Sequence, residues 1–255
     1  MHVPAMERGL DLRTLVADAI RAPSSHNTQP WRFEIGARRV VLHADRSRAL
    51  PVNDPHDREL TLSCGAALYT LEAAAARAGV GTFCRLLPDP SDGDRLADVE
   101  FRGAADPERA RLAAAIGRRR TTRDAFEEDD VPAGLAEELA SLAHRTGSTW
   151  LVSVEPAASC PTRGKLADLV AQGDRAQFSA PRGRRELARW MRRRSAGDGL
   201  SVPLLSGPPT RLAVRFFDLG RSTAEKDRRL ALDAPFLCVV GSVRDDPRAW
   251  LETGR

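Results

Sequence analysis

The sequence predicts an α+β fold, with helices and strands interleaved in two unequal halves. Three observations carry that expectation. Segments with apolar residues at helical spacing alternate with short runs of β-branched and aromatic residues. Proline, glycine and Asp/Ser clusters mark the junctions between them. The 255-residue chain, 42% hydrophobic and 29% charged, carries enough apolar mass for a real core. That composition excludes disorder, collagen-like repeats and a disulfide-built miniprotein.

The elements follow in order. Asp11 is placed to cap a helix whose Leu12, Leu15, Val16, Ala19 and Ile20 share a face, and Pro23 closes it. Residues 31–35 and 40–43 read as strands joined by a turn at Gly36. A long helix is expected over 59–78, with a stripe of Leu60, Cys64, Ala67, Leu68, Leu71, Ala74, Ala75 and Ala78; its small residues suit close helix packing, and Gly79 stops it. Strands follow at 82–87 and 96–101 around the turn-rich 88–94. The first half is set at 1–104 and the second at 105–255.

In the second half, Pro107 opens a helix through Ile116, an arginine run follows, and Pro132 opens another helix with Leu135, Leu139 and Leu142. A strand is expected at 150–154, helices at 163–178 and 184–194, loop at 197–209, and a buried strand at 236–241. A last helix begins at Pro247, with little room to form and pack before Arg255.

Charge and cysteine usage narrow the function classes. Of 39 basic residues only Lys165 and Lys226 are lysines, against 35 acidic ones. A basic nucleic-acid-binding module built on the two arginine clusters is the least favoured reading: with 5% aromatic residues and one tyrosine, stacking platforms are few, so no nucleic-acid partner is expected. The longest apolar stretch, near 234–241, is too short for a bilayer, and the N-terminus lacks a signal-peptide core; a soluble cytoplasmic protein with no membrane partner is expected. Cys64, Cys84, Cys160 and Cys238 are scattered without CxxC pairing and read as buried small hydrophobes. The histidines show no metal spacing, so no metal is expected, and no GxSxG, P-loop or GxGxxG motif occurs.

Two constellations can carry chemistry. Residues 22–33, APSSHNTQPWRF, form a polar loop pinned by Pro23 and Pro30. Ser24, Ser25, Asn27 and Gln29 each donate and accept without charge, suiting the edge of a flat heteroaromatic ring; equally, the segment reads as a capping turn with Trp31 and Phe33 in the core. Arg118, Arg119, Arg120, Thr121, Thr122 and Arg123 read as a phosphate clamp or as a solvated basic turn. A third feature, the basic stretch 182–194 with Leu187, Trp190 and Met191 on one face, reads as a packed stripe beneath a charged surface.

Together the first two resemble the nitroreductase family of flavoproteins. Pro23, Ser24, Ser25, Asn27, Gln29, Pro30 and Trp31 match its PSxxNxQPW signature, and Arg119, Arg120, Thr121 and Arg123 its RRSxR phosphate motif. Each half keeps one motif, which resembles a fused two-half (Acg-like) subfamily. The segments 44–48 (ADRSR), 54–59 (DPHDRE) and 64–68 (CGAAL) fit the same subfamily.

The resemblance implies a nitroreductase-like fold of two fused pseudo-symmetric halves, the second incomplete at its C-terminus, with residues 180–209 as a lid. It implies FMN as cofactor, NAD(P)H as electron donor and a nitroaromatic or quinone-type acceptor, in a pseudo-dimeric monomer or a homodimer. Ser24, Ser25, Asn27 and Gln29 would meet the ring, while Arg119, Arg120, Thr121 and Arg123 would hold the phosphate. No side chain is assigned as catalytic, because the flavin carries the chemistry. Flavin storage without turnover is the alternative that the same subfamily implies.

Overall fold

A computed structural model describes residues 10–127, 131–144, 149–154, 161–202, 207–218 and 220–255. In chain order the elements are α1 (Leu12–Ala19), β1 (Trp31–Ile35), β2 (Arg39–Ala44), α2 (Arg58–Arg77), β3 (Val80–Leu86), β4 (Arg95–Ala104) and α3 (Pro107–Leu112). There follow α4 (Leu135–His144), β5 (Thr149–Val154), α5 (Pro161–Ser179), α6 (Pro181–Trp190), β6 (Met191–Arg193) and β7 (Leu200–Val202). The last are α7 (Gly207–Phe216), α8 (Gly220–Asp233), β8 (Leu237–Ser242) and α9 (Pro247–Gly254). Helices and strands interleave, in keeping with the α+β expectation. No helix among the described residues is long and apolar enough to cross a membrane.

The chain forms two compact units. The first comprises Met1–Ala49, His56–Thr121 and Asp245–Arg255. Asp11 caps α1, accepting from the Arg13 N–H at 3.0 Å and the Thr14 hydroxyl at 2.6 Å. Four strands form an antiparallel sheet in the order β1-β2-β4-β3. Leu42 stands opposite Phe33 on one side and Ala97 on the other. Into this core α2 presents Leu60, Cys64, Ala67, Leu68, Leu71, Ala74 and Ala75, all buried, against Val40, Leu42, Val99 and Phe101. Gly79, at φ +83°, lets the chain leave α2 in the left-handed conformation that side chains disfavour.

The small residues of α2 have a specific use. A Cβ at Gly65 would lie 2.3 Å from the Leu251 carbonyl oxygen, and one at Gly254 would lie 2.0 Å from that of Leu62. The two glycines therefore let α9 approach α2 backbone to backbone, burying Leu251 completely. Asp246 caps α9 by accepting from the Ala249 N–H at 2.8 Å. This corrects the expectation that a helix begun at Pro247 has little room to form or pack: two turns suffice when the contact is this close.

A buried carboxylate ties the same helices. Glu72 of α2 accepts from Arg255 Nε and Nη2, both at 2.7 Å, and lies 3.1 Å from Arg109 Nη1 of α3. Burial works against the Arg255 charge, but its hydrogen bonds and attraction to Glu72 outweigh that and hold its pKa above the usual value. Asp106 caps α3 through the Glu108 and Arg109 N–H groups. The helix expected through Ile116 ends at Leu112 and continues as a single 3-10 turn, Ala113–Ala115.

The second unit comprises Leu50–Pro55 and Thr122–Arg244. Here α5 and α8 pack through small buried residues, Ala167, Ala171, Gly220 and Ala224. The buried Arg163 donates to the carbonyls of Ala234 at 2.7 Å, Leu232 at 3.0 Å and Val154 at 3.3 Å. Glu186 of α6 accepts from the Val52 and Asn53 N–H groups at 3.0 and 2.9 Å. Strands β5 and β8 pair antiparallel, with the Trp150 ring seated over Gly241, where a Cβ would come within 2.2 Å of it.

Two sequence readings are corrected in this unit, and a third across the chain. The helix expected to reach Arg194 stops at Trp190, and Met191–Arg193 instead pairs parallel with β7. The stretch read as loop over 197–209 contains β7 and the start of α7, while residues 203–206 lie outside those described. Its prolines misled: at 208 and 209 they occupy the first turn of α7, where the missing N–H costs nothing. Finally, not all cysteines are fully buried: Cys64 is, Cys84 and Cys238 are half-buried, and Cys160 lies outside the described residues.

Candidate functional site

Between α1 and β1 the polar loop makes a single 3-10 turn, Ser25–Asn27. His26, Asn27 and Gln29 take φ values of 49°, 52° and 54°. Such left-handed backbone costs about 1–3 kcal/mol per residue and persists only where the surroundings hold it. Here they do. The Ser24 hydroxyl oxygen accepts from the Gln29 N–H at 2.9 Å, and the Ser24 carbonyl accepts from the Asn27 N–H at 2.9 Å.

Helix α2 supplies the next anchor. The Ser25 N–H donates to Ser63 Oγ at 3.2 Å, and the Ser25 hydroxyl donates to Glu59 Oε2 at 2.9 Å. Glu59 and Ser63 stand four residues apart on one face, and Ser63 Oγ also donates to the Glu59 carbonyl at 2.7 Å. Beyond the turn, Pro30 is pinned through its carbonyl by the Asp45 N–H at 2.9 Å and the Cys64 thiol at 3.2 Å. Burial pushes that thiol well above its ordinary range. The Thr28 carbonyl accepts from Arg48 Nη1 at 2.7 Å. Trp31 is buried and Phe33 packs against the core, as the capping-turn reading expects, while Ser24, Ser25, Asn27 and Gln29 stay partly open to solvent.

The arginine run begins one turn beyond α3. Arg119 Nη2 donates to the Arg21 carbonyl at 3.0 Å, and its Nη1 donates to the Thr121 hydroxyl at 3.2 Å. A guanidinium has five N–H donors, so two bonds leave others on the same group for an anion. Arg120 turns back on its own chain, donating to the carbonyls of Gly117 at 3.1 Å and Arg119 at 2.8 Å. Arg123 belongs to the second unit, where it is exposed.

A cavity of about 230 Å³ lies in the first unit, walled by Ala66, Tyr69 and Ala73 of α2 and by Leu112 and Ile116. Arg21, Pro23 and Arg119 line it as well, so the arginine run reaches the entrance of the polar loop. Ser24, Ser25, Asn27 and Gln29 are not among its lining residues. Sequence reasoning missed Glu59, Ser63 and Tyr69. The available signal was Ser63, a polar residue on the apolar stripe of a long helix, four positions after a glutamate. Among the described residues, no cluster of His, Cys, Asp and Glu could hold a metal ion.

No family model matches the chain. Individual relatives do. A Mycobacterium tuberculosis protein named NAD(P)H nitroreductase Rv3131 is 33% identical over 258 residues, spanning 99% of this chain and 72% of the relative. The Mycobacterium tuberculosis protein named NAD(P)H nitroreductase acg is 41% identical over 120 residues, 46% of this chain and 36% of its own. PigM of a Serratia species, also named an NAD(P)H nitroreductase, is 27% identical over 208 residues, 77% of this chain and 56% of its own. A likeness of one in three residues, carried across almost the whole chain and nearly three quarters of a relative, establishes that this chain belongs to the NAD(P)H nitroreductase family.

Proposed function

We propose that the chain is an FMN-dependent NAD(P)H oxidoreductase that passes electrons to a small acceptor of the nitroaromatic or quinone class. The observation that carries this reading is the position of Arg119, bonded at once to the Arg21 carbonyl at the loop entrance and to the Thr121 hydroxyl. Relatives named as NAD(P)H nitroreductases support the donor and the class of reaction.

Cofactor pockets usually begin near roughly 300 Å³; the cavity is smaller, so the fit of FMN rests on the donor set. That set fits. Arg119 and Thr121 present a guanidinium and a hydroxyl together, the pairing that a phosphate monoester takes. Arg120 would join them by turning from the Gly117 and Arg119 carbonyls. Ser24, whose oxygen already accepts from Gln29 N–H, keeps its proton to donate to a ring carbonyl or nitrogen; Ser25, donating to Glu59, keeps lone pairs to accept. Asn27 and Gln29 add amides able to do both. When bound, FMN supplies the hydride chemistry, which is why no acid–base pair is needed among these side chains. The division into nitroreductase-like halves, 1–104 and 105–255, belongs to the same proposal. It rests on the one motif that each half keeps.

Three measurements test it. The purified chain should bind FMN near one per chain, read from the flavin absorbance bands. Arg119→Ala should weaken FMN by roughly 10- to 100-fold while leaving riboflavin nearly unchanged, the size expected for losing charge-assisted hydrogen bonds to a phosphate. Equal weakening of both ligands refutes the phosphate assignment. Anaerobic bleaching of bound FMN by NADH or NADPH then separates an enzyme from a flavin store.

A further inference from the structure

The segment 45–48 supplies none of the residues assigned to the ring or the phosphate, yet it grips the polar loop. Asp45 caps a short 3-10 turn, Arg46–Arg48, accepting from the Ser47 N–H at 3.1 Å and the Ser47 hydroxyl at 2.5 Å. Its own N–H holds the Pro30 carbonyl at 2.9 Å. Arg48, projecting from the same turn, places Nη1 2.7 Å from the Thr28 carbonyl and Nε 3.6 Å from Asp45 Oδ2. The two gripped carbonyls flank Gln29, which is left-handed at φ 54°, and Thr28 is almost fully buried.

We propose that Arg48 is a positioning residue for the ring-binding loop, latching the strained Asn27–Thr28–Gln29 backbone in the conformation that aims Asn27 and Gln29. The role of those amides rests on the flavin reading above; the latch itself does not. Three features single out Arg48. It is the one described donor on the Thr28 carbonyl. Its fork addresses that carbonyl and the Asp45 carboxylate from one rigid plane, which a lysine cannot do from one ammonium. Its neighbour Arg46, of the same type and on the same turn, instead holds Asp94 at 2.5 Å and Asp57, and gives no described bond to the loop.

Arg46 is therefore the natural control. In the flavin-free protein, Arg48→Ala should speed hydrogen exchange at the Asn27, Thr28 and Gln29 amides by about tenfold or more, the scale of a lost hydrogen bond to a charged group. The α2 amides should not change. Riboflavin and FMN should weaken together by a similar factor, unlike the FMN-selective loss at Arg119→Ala, because the defect lies on the ring side. Arg46→Ala should do neither. Arg48→Lys, a milder change that serves if the alanine variant does not fold, should move both readouts the same way by less. Unchanged loop exchange in Arg48→Ala, or an equal rise in Arg46→Ala, overturns the latch. Faster exchange with unaltered flavin affinity overturns its positioning role. If exchange rises but the parent chain binds neither flavin, the latch stands and the flavin reading falls.

Discussion

Replacing Glu72 by glutamine tests what holds the first unit together. The carboxylate is fully buried and takes two 2.7 Å bonds from Arg255 and a 3.1 Å contact from Arg109. Removing one partner of a buried ion pair costs about 3–5 kcal/mol, because the remaining charge stays desolvated. Here the lower end applies: each arginine side chain is 22% exposed and can recruit some water, and glutamine keeps one acceptor oxygen. A loss of about 3 kcal/mol corresponds to roughly 6–12 °C in Tm at this size. Calorimetry reads the shift, and peptide-resolved hydrogen exchange should show α9 and α3 opening before the sheet. A Tm change below about 2 °C, with α9 exchange unaltered, would refute the view that this carboxylate fastens three helices.

Other outcomes follow from the same geometry. Gly65→Ala should destabilise despite a gain in helix propensity of up to about 1 kcal/mol, since its Cβ meets the α9 backbone at 2.3 Å and overpacking costs about 1–3 kcal/mol or more; urea melts of the variant decide the sign. Burial, with the Asp227 charge beside it, pushes the Asp174 carboxyl above its ordinary 3.8. Such a group imposes no penalty below its unfolded value, and stability is lost as pH rises through the folded one. Asp174→Asn should therefore raise stability at pH 7 and have no effect near pH 3, as urea midpoints at the two pH values will show. The Cys84 thiol is pushed up to about 12, chiefly by burial and then by Glu72. At pH 8 a disulfide reagent should leave Cys84 and the buried Cys64 unmodified in the folded chain, and label them once it is denatured.

The elements that position the site were legible where local signals agreed. Asp11, the stripe on α2, Gly79 and the two strands joined about Gly36 all point the same way in sequence and structure. Residues 207–233 were not read as helical because α7 opens on Gly-Pro-Pro and α8 carries so many charges that its buried face reduces to Gly220 and Ala224. At the site, the motifs named Ser24 and Arg119, whereas Arg48 and Glu59 stood in the segments 44–48 and 54–59 without a role and Ser63 was not singled out. Their contacts with the loop span 20 to 38 positions, and no periodicity within one element encodes them. Nor could spacing show that Gly65 and Gly254 face each other.

The pairing of α2 with α9 joins residues 183 positions apart. During synthesis, the groove that receives Leu251 leaves the ribosome long before its occupant exists, and most of the second unit, Thr122–Arg244, is translated in between. For that interval a helix face built of alanine and glycine stays uncovered, so early folding must proceed without its final brace. A nascent chain in that state is a natural client for chaperones, and slow codons ahead of residue 245 would prolong its exposure.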